Sequence, residues 1–555
     1  MTLHHCQSLW SRFFLQVRKK TLGYQAGKNL LLNKFILGRG VGLIGLPYLI
    51  YLAFIFILLT SSFFVFTNIN DFKDFNFLSY FGTIKFTFLQ AFLACFISSI
   101  LGFLFSLIFY FSNKDPKFIS SFLNFCFILP VIFVSFGSIF FYSSNGILSI
   151  VFHWLSIDYD MKIFSLKGIL YVTSYFNIAL NANFFFRKLT NIPENYIRVL
   201  QSNGIPFLKS IRLQLKKFIF SGYSSVLILT FIFCIGNFTI VYILSGSPNL
   251  TTIELAIYQS IVIDADLKMA IILGLTQLII ILLISISVIG KTTTFNTFNT
   301  FKKSYKNLDK ILLINIIFWS IIVYFCIPFL VIIKGIMSFN IQLLFSISFL
   351  NSLISSLLVS ILSLLISVFL TLSSLYVYRS FLDKNSSFHK FIFLSISMLL
   401  FIPSLSLSAM IFYLNFKLDF IFESIWIVAI VNSLFITPIM FIFLSGKFIE
   451  NHNHEYKNIT LFNITSLTRL IRIDLPKIKS EFILVSTTVF VLSLGDLTSV
   501  TVFNNSTFKT IPLFISQLYS NYRYDDAFFI LSLFIVLIML IMYLPSKLLH
   551  QNDKS

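Results

Sequence analysis

The chain has 555 residues, of which 57% are hydrophobic and 11% are charged, and its mean hydropathy is +0.90. Soluble domains contain roughly 25% charged residues, so this composition excludes an ordinary soluble protein and predicts one that lies in a lipid bilayer. The formal net charge is +20. Because membrane proteins concentrate Lys and Arg in cytoplasmic loops, this excess does not indicate a nucleic-acid partner.

Twelve apolar runs reach the length of about 20 residues that a membrane-crossing helix needs. They lie near 41–67, 83–111, 119–142, 166–186, 219–245, 269–290, 311–335, 347–377, 391–415, 421–445, 481–503 and 527–546. The sequence therefore predicts an all-α polytopic membrane protein. Residues 1–40 are basic and contain no Asp or Glu. Because positive residues stay on the cytoplasmic side, both termini are predicted to be cytoplasmic.

The chain repeats itself at an offset of about 259 residues, which indicates two related halves. Matched positions follow the same order in both halves: Pro130 with Pro403, Asn177 with Asn432, Asn237 with Asp496, and Thr252 with Thr510. Six helices in each half is an even number, so both halves keep one orientation and the repeat is parallel. The two prolines are expected to bend the third helix of each half, either as a hinge or as a static kink.

This repeat predicts five regions along the chain. They are a basic cytoplasmic segment at 1–40, a first transmembrane half at 41–290, a cytoplasmic linker at 291–310, a second transmembrane half at 311–546 and a cytoplasmic tail at 547–555.

Each half contains a long basic loop between its fourth and fifth helices, starting at Arg187 and at Gly446. Gly204 and Asn463, 259 positions apart, suit a turn with positive φ between two short helices. Their matched positions favour contact with a cytoplasmic partner, whereas ordinary basic loops are the alternative. No G-x-x-x-x-G-K-[ST] sequence occurs in the chain, so an ATP-binding loop would belong to another subunit.

The two loops resemble the EAA loop of ABC importer permeases. Where that family often has Glu-Ala-Ala, this chain has Arg198, Val199 and Leu200 in the first loop and Lys457, Asn458 and Ile459 in the second. Stretches beginning at Gly168, Thr251 and Ser493 are similar to the thiamine permeases of this family, which are fused two-half proteins.

The resemblance implies two parallel, fused type I permease repeats that carry thiamine and thiamine phosphates across the bacterial inner membrane. It also implies a homodimeric ATP-binding subunit, which binds ATP and Mg and hydrolyses the ATP, and a periplasmic substrate-binding protein. The chain itself would then be a transport subunit in contact with lipid, without enzyme activity and without a cofactor. Ferric iron permeases share this plan and are the alternative. An ion-coupled secondary transporter is the alternative from another class, because its topology fits equally well.

Four polar residues within the spans are candidates for the pathway or its gate: Asn177, Asn237, Asn432 and Asp496. An ionisable group deep in a span is costly. Asp496 is therefore expected either to face the pathway, where an acid favours the cationic thiazolium ring, or to bond to a helix end. The paired asparagines either line the pathway or bond between helices.

Acidic residues on the outward side are expected to be solvated loop charges or contacts for a binding protein. They are Glu254, Asp264, Asp266, Asp525 and Asp526. The histidines and cysteines show no metal-ligand spacing, so no metal site is predicted.

Overall fold

The fold is given by a computed structural model that describes most of the chain, and every regular element in the described ranges is helical. The described residues are 42–64, 77–112, 114–158, 162–191, 199, 202–204, 223–286, 312–382, 388–398, 400, 402–417, 423–461, 466–505 and 508–552. The predicted cytoplasmic segment 1–40 and the linker 291–310 lie outside these ranges.

The described part of the predicted first half contains ten helices. They are α1 (Gly42–Phe64), α2 (Phe77–Phe111), α3 (Pro116–Ile128), α4 (Val131–Tyr142), α5 (Ile147–Trp154), α6 (Leu166–Thr190), α7 (Tyr223–Ile235), α8 (Phe238–Leu244), α9 (Ile253–Val262) and α10 (Leu267–Ile286). A short 3₁₀ turn at Pro248–Leu250 precedes α9.

The predicted second half follows the same general order. Its helices are α11 (Leu312–Cys326), α12 (Val331–Met337), α13 (Ile341–Leu344), α14 (Ile347–Leu382), α15 (Phe388–Met398), α16 (Ser404–Lys417), α17 (Ser424–Leu461), α18 (Ser466–Arg469), α19 (Leu475–Lys477), α20 (Lys479–Leu494), α21 (Thr498–Phe503), α22 (Ile511–Ser520) and α23 (Tyr524–Asn552). A 3₁₀ turn at Ile327–Leu330 joins α11 to α12, and a π-helical turn at Leu470–Asp474 joins α18 to α19.

Each of the twelve predicted spans coincides with helical residues. By length and hydropathy, however, the described chain contains eight helices that qualify as membrane spans, or nine if the bent pair α7 and α8 is one span. The chain is therefore a multi-pass helical membrane protein. The count of twelve spans stays a prediction, because several predicted spans are broken into shorter helices or carry too many polar residues to qualify.

Five of the predicted spans are interrupted, the seventh of the twelve by the 3₁₀ turn at Ile327–Leu330. Pro130 separates α3 from α4 and Pro403 directly precedes α16, because the proline ring cannot continue the hydrogen-bond ladder of a helix. The fifth predicted span bends by 45° between α7 and α8. The eleventh is interrupted after Gly495. The third predicted helix of each half is therefore interrupted, at Pro130 and at Pro403, and a bend at each proline stays a prediction.

The first helix of each predicted half packs against the opposite half. On one side, α1 packs on α14 and α16; the Tyr48 backbone N donates to Ser373 Oγ at 3.1 Å, and Tyr51 Oη donates to Leu434 O at 3.2 Å. On the other side, α11 packs on α2, and Tyr175 Oη of α6 donates to Phe325 O at 2.8 Å. The two sets of helices are therefore interlocked by reciprocal contacts.

One of these interlocking contacts requires a glycine. A Cβ atom added to Gly137 of α4 would lie 2.7 Å from Cα of Pro328, so α4 can approach the 3₁₀ turn only without a side chain at this position. We expect Gly137→Ala to destabilise the protein by about 1–3 kcal/mol, as overpacking does, and to lower the midpoint of thermal unfolding in detergent. Gly82→Ala is the matched control, because no atom in the described part of the chain lies within 4 Å of an added Cβ there. Equal midpoints for the two variants would contradict this packing.

Candidate translocation site

A first cluster of polar side chains surrounds Thr173 of α6. Asn237 lies in the bend between α7 and α8, and its Nδ2 donates to Thr173 Oγ1 at 2.9 Å. One turn further along α6, Asn177 Nδ2 donates to the backbone O of Thr173 at 2.9 Å and to Cys234 Sγ of α7 at 3.3 Å. The structure therefore brings two predicted pathway residues to the same helix break.

A second cluster surrounds Asp496 in the break between α20 and α21. Its Oδ1 accepts from the Thr498 backbone N at 3.0 Å, and its Oδ2 accepts from the Ser499 backbone N at 3.2 Å and from the Ser499 hydroxyl. A carboxylate in this position caps the first turn of α21. Of the two roles predicted for Asp496, the helix-end bond is therefore present, and a pathway role stays a prediction.

Asn432 of α17 joins the same cluster. Its Nδ2 donates to Ser493 Oγ at 3.3 Å, and its Oδ1 lies 2.9 Å from the Ser499 hydroxyl. Asn432 is buried, like Asn177. Both asparagines thus bond between helices, which is the structural role predicted for them. Their lining of a pathway stays a prediction.

The two clusters meet at a direct contact between the predicted halves. Thr239 Oγ1 of α8 and Thr498 Oγ1 of α21 are 3.5 Å apart, and these buried residues are 259 positions apart in the chain. Close by, a Cβ atom added to Gly495 would lie 3.0 Å from Pro130 Cβ. The breaks after α3, α7 and α20 therefore occupy one region at the junction of the two sets of helices. The contact between the two threonines was not predicted from the sequence.

The burial of Glu254 differs from what the sequence predicted. This residue was expected to be an exposed outward charge, but it is fully buried in α9. Gln277 Nε2 of α10 donates to Glu254 Oε1 at 2.9 Å, and Ser406 Oγ of α16 donates to Gln277 Oε1 at 2.9 Å. Burial raises the pKa of Glu254 to about 8, and the bond from Gln277 opposes this shift. The residue therefore belongs to a polar chain across the two sets of helices.

The remaining outward acids differ in their surroundings. Asp264 and Asp266 are exposed, as expected of solvated charges. Asp525 forms an ion pair with Lys334 at 2.8 Å. Asp526 forms one with Arg523 at 2.6 Å. The last two thus bond within the chain; contact of any of these acids with a binding protein stays a prediction.

The predicted cytoplasmic loops are described only in part. Gly204 has a φ of +66°, as predicted for its turn, and the Asn203 backbone N donates to Val199 O at 3.2 Å just before it. Val199 is exposed. The loop predicted to start at Gly446 begins as helix, because α17 continues without interruption to Leu461.

This continuation places the backbone of three predicted coupling residues, Lys457, Asn458 and Ile459, within a helix. The sequence between Ser445 and Leu461 contains no proline that would have ended it. The other predicted coupling residues, Arg198, Leu200 and Asn463, lie outside the described residues.

The arrangement places hydrogen-bonding groups and one carboxylate at the junction of the two sets of helices. Within the described ranges, no group of three or more His, Cys, Asp or Glu side chains could hold a metal ion. Broken helices with polar side chains at the junction of two helical sets define a multi-pass membrane protein of the transporter type.

Comparison with known proteins shows which membrane transport proteins the chain resembles. The chain is 27% identical to the thiamine transport system permease protein of Haemophilus influenzae, over 80% of this chain and 84% of the relative. It is 25% identical to the protein of the same name from Brucella suis, over 72% and 74%, and 24% identical to that from Escherichia coli, over 77% and 81%. The resemblance to thiamine permeases drawn from the sequence is confirmed. No family model and no solved structure matches the chain.

Proposed function

We propose that this chain is the permease subunit of an ATP-driven ABC importer that carries thiamine and thiamine phosphates across the bacterial inner membrane. The observation that carries the proposal is the similarity to thiamine permeases over most of the length of both proteins. The chain covers 84% of the relative from Haemophilus influenzae, so the similarity includes both predicted halves.

A parallel arrangement of two repeats, with twelve spans in all, belongs to this proposal, and equivalent bonds support it. In the first half, Asn177 bonds to Cys234, and in the second half Asn432 bonds to Ser493, which is 259 positions after Cys234. The contact between Thr239 and Thr498 has the same offset. Two equivalent residues touch each other only near the axis that relates the two copies, so this contact supports a pseudo-twofold axis, which in our proposal runs along the membrane normal.

The starts of α9 and α22 add a further equivalent pair of bonds. The Ile253 backbone N donates to Thr87 Oγ1 of α2 at 2.9 Å, and the Ile511 backbone N donates to Ser356 Oγ of α14 at 2.7 Å. In each half, the first turn of this short helix is therefore fixed to the second predicted span by a hydroxyl group. Duplication of one ancestral half explains why the same bond recurs.

In the mechanism we propose, the solute crosses where the breaks meet. Helix breaks let α8 and α21 tilt without unfolding the spans on either side, and opening separates Thr239 from Thr498. The polar groups at the junction, Asn237 and Asp496 among them, then exchange their internal bonds for bonds to the solute. The apolar core around them keeps the pathway closed to water and ions before opening.

The energy for this movement comes from partners in our proposal. A homodimeric ATP-binding subunit binds ATP and Mg on the cytoplasmic side and acts on both loops. A periplasmic binding protein delivers the substrate on the other side. Both termini then lie in the cytoplasm, in agreement with the basic segment at the start of the chain.

Uptake by intact cells tests the substrate. Cells that lack the gene are expected to lose energy-dependent accumulation of labelled thiamine, and the gene on a plasmid is expected to restore it. Labelled ferric iron is measured in parallel. Restoration of iron uptake without thiamine uptake would keep a permease function but overturn thiamine as the substrate.

Variants of Asp496 separate its two predicted roles. Because the carboxylate caps α21, Asp496→Ala is expected to cost about 1 kcal/mol of stability and to lower the midpoint of thermal unfolding. The side-chain oxygen of Asp496→Asn still accepts a capping bond, so this variant is expected to retain thiamine uptake within about twofold, as Asn and Asp are equally good caps. A large loss of uptake by a stable Asp496→Asn variant would instead indicate that the negative charge acts on the substrate.

A further inference from the structure

A buried cluster of three charged residues lies at the C-terminal end of α14. Arg379 is in the last turn of α14, and its Nη1 bonds to Asp474 Oδ2 in the π-helical turn. Arg469 Nε lies 3.9 Å from Asp474 Oδ1. All three residues are at most 5% exposed. Charged side chains are rarely buried to this extent unless they are paired, so the cluster needs an explanation.

The cluster connects three elements. The guanidinium group of Arg379 lies 5.7 Å from the ring centre of Tyr376 in α14 and 5.8 Å from that of Phe448 in α17. Both rings are buried. The guanidinium group of Arg379 is thus in contact with aromatic rings of two long helices. It also forms an ion pair with Asp474 in the π-helical turn Leu470–Asp474.

The backbone at Leu470–Asp474 forms a π-helical turn that brings Arg469 and Asp474 to the same side. A π-helical turn closes its hydrogen bonds between residues five apart, and Arg469 and Asp474 are five apart. Both face the interior, whereas Ile471 and Arg472 between them are exposed. The turn therefore has one face fixed to the helices and an opposite face open on the side where the proposed ATP-binding subunit would lie.

A path leads from the cluster into the other half. Ser373 lies on α14, less than two turns before Arg379, and accepts the bond from the Tyr48 backbone N of α1. Helix α1 belongs to the predicted first half. Movement of the segment that contains Asp474 would consequently shift α14 and, through α14, helix α1.

We propose that Arg379, Asp474 and Arg469 form an ionic clamp that makes this segment, α14 and α17 one rigid body. Force from the ATP-binding subunit then moves the helices instead of bending the loop. The three are positioning residues, remote from the solute. This inference rests on the proposed function for its role in coupling, although the clamp itself is a property of the isolated chain.

The first measurement concerns the clamp alone. Amide hydrogen exchange is followed in the purified full chain in detergent, for the wild type and for Arg379→Gln and Asp474→Asn. We expect residues 466–478 to exchange at least about tenfold faster in both variants, because local opening becomes easier when a fixing contact is lost. Arg523→Gln, which breaks the exposed pair with Asp526, is the matched control and is expected to leave this segment unchanged. Unchanged exchange in both clamp variants would overturn the clamp, whatever the substrate is.

The second measurement concerns coupling. The chain is reconstituted in vesicles with its ATP-binding subunit and binding protein, and thiamine imported per ATP hydrolysed is determined. We expect ATP hydrolysis to persist in both clamp variants while import per ATP falls about fivefold or more, within the range that mutations along a coupling network produce. A wild-type ratio would overturn the role in coupling. Wild-type vesicles that import no thiamine would contradict the proposed function and leave the exchange result standing.

If a single variant leaves an unpaired charge and does not fold, Arg379→Met combined with Asp474→Met and Arg469→Met removes all three charges together. This triple variant is expected to fold and to show the same fall in import per ATP. A folded triple variant with the wild-type ratio and wild-type exchange would contradict the clamp.

Discussion

A disulfide between Thr239→Cys and Thr498→Cys is expected to abolish transport. The two hydroxyl oxygens are 3.5 Å apart, and the sulfur atoms that replace them need to approach to about 2.05 Å, which small backbone shifts allow. In the proposed mechanism these residues separate at every cycle. Oxidation of the double variant should therefore reduce thiamine uptake by vesicles to the level of vesicles without protein, and reduction should restore it.

The controls for this cross-link follow from the other cysteines of the chain. Among the described residues, Cys95, Cys126 and Cys234 are buried, whereas Cys326 is exposed; Cys6 lies outside the described residues. Each single variant is therefore oxidised in parallel to detect unintended pairs. A cross-link that forms in high yield but leaves uptake intact would show that the solute does not pass between these residues. Failure to form the cross-link would contradict the contact itself.

A second large loss of thiamine uptake is expected when Gly204 is substituted. The φ of Gly204 is +66° and none of the described residues lies within 4 Å of an added Cβ, so we expect a side chain there to act through the backbone conformation. For a residue other than glycine, this conformation costs about 1–2 kcal/mol of free energy, which corresponds to a factor of roughly 5–30 in the population of the turn. We expect Gly204→Val to lower thiamine uptake by a similar factor, since the loop then presents the wrong shape to the ATP-binding subunit.

Gly204→Asn is the matched variant. Asparagine tolerates the left-handed conformation better than other residues with a side chain, and Asn463 occupies the equivalent position in the second half. It is expected to retain most of the uptake. If valine and asparagine reduced uptake equally, the positive φ would not be what the loop requires. Binding of the ATP-binding subunit to each variant in detergent would locate the defect.

Much of the fold follows from local features of the sequence. Apolar runs of sufficient length identify helices in lipid, and the breaks at Pro130 and Pro403 follow from the chemistry of proline. The positive φ of Gly204 was predicted from its place in a turn between two short helices. These features depend on a few neighbouring residues, so sequence reasoning reaches them.

What the sequence did not reveal depends on distant parts of the chain. Glu254 looked like a loop charge, because a ten-residue helix between two spans has too few residues to show that it is buried. The contact between Thr239 and Thr498 becomes visible only when the two sets of helices are assembled. Arg379 and Asp474 are 95 positions apart, and nothing near either residue indicates the other. Tertiary packing determines which distant residues become partners, and no periodic pattern in the sequence indicates them.

The central claim is that this chain forms an ATP-driven pathway for thiamine. The most direct measurement is the uptake of labelled thiamine by sealed vesicles that contain the purified chain, its ATP-binding subunit and its binding protein. Uptake is predicted to require all three proteins and ATP on the side of the ATP-binding subunit, and to be independent of any ion gradient. Uptake that needs an ion gradient and proceeds without ATP would contradict the account and indicate a secondary transporter.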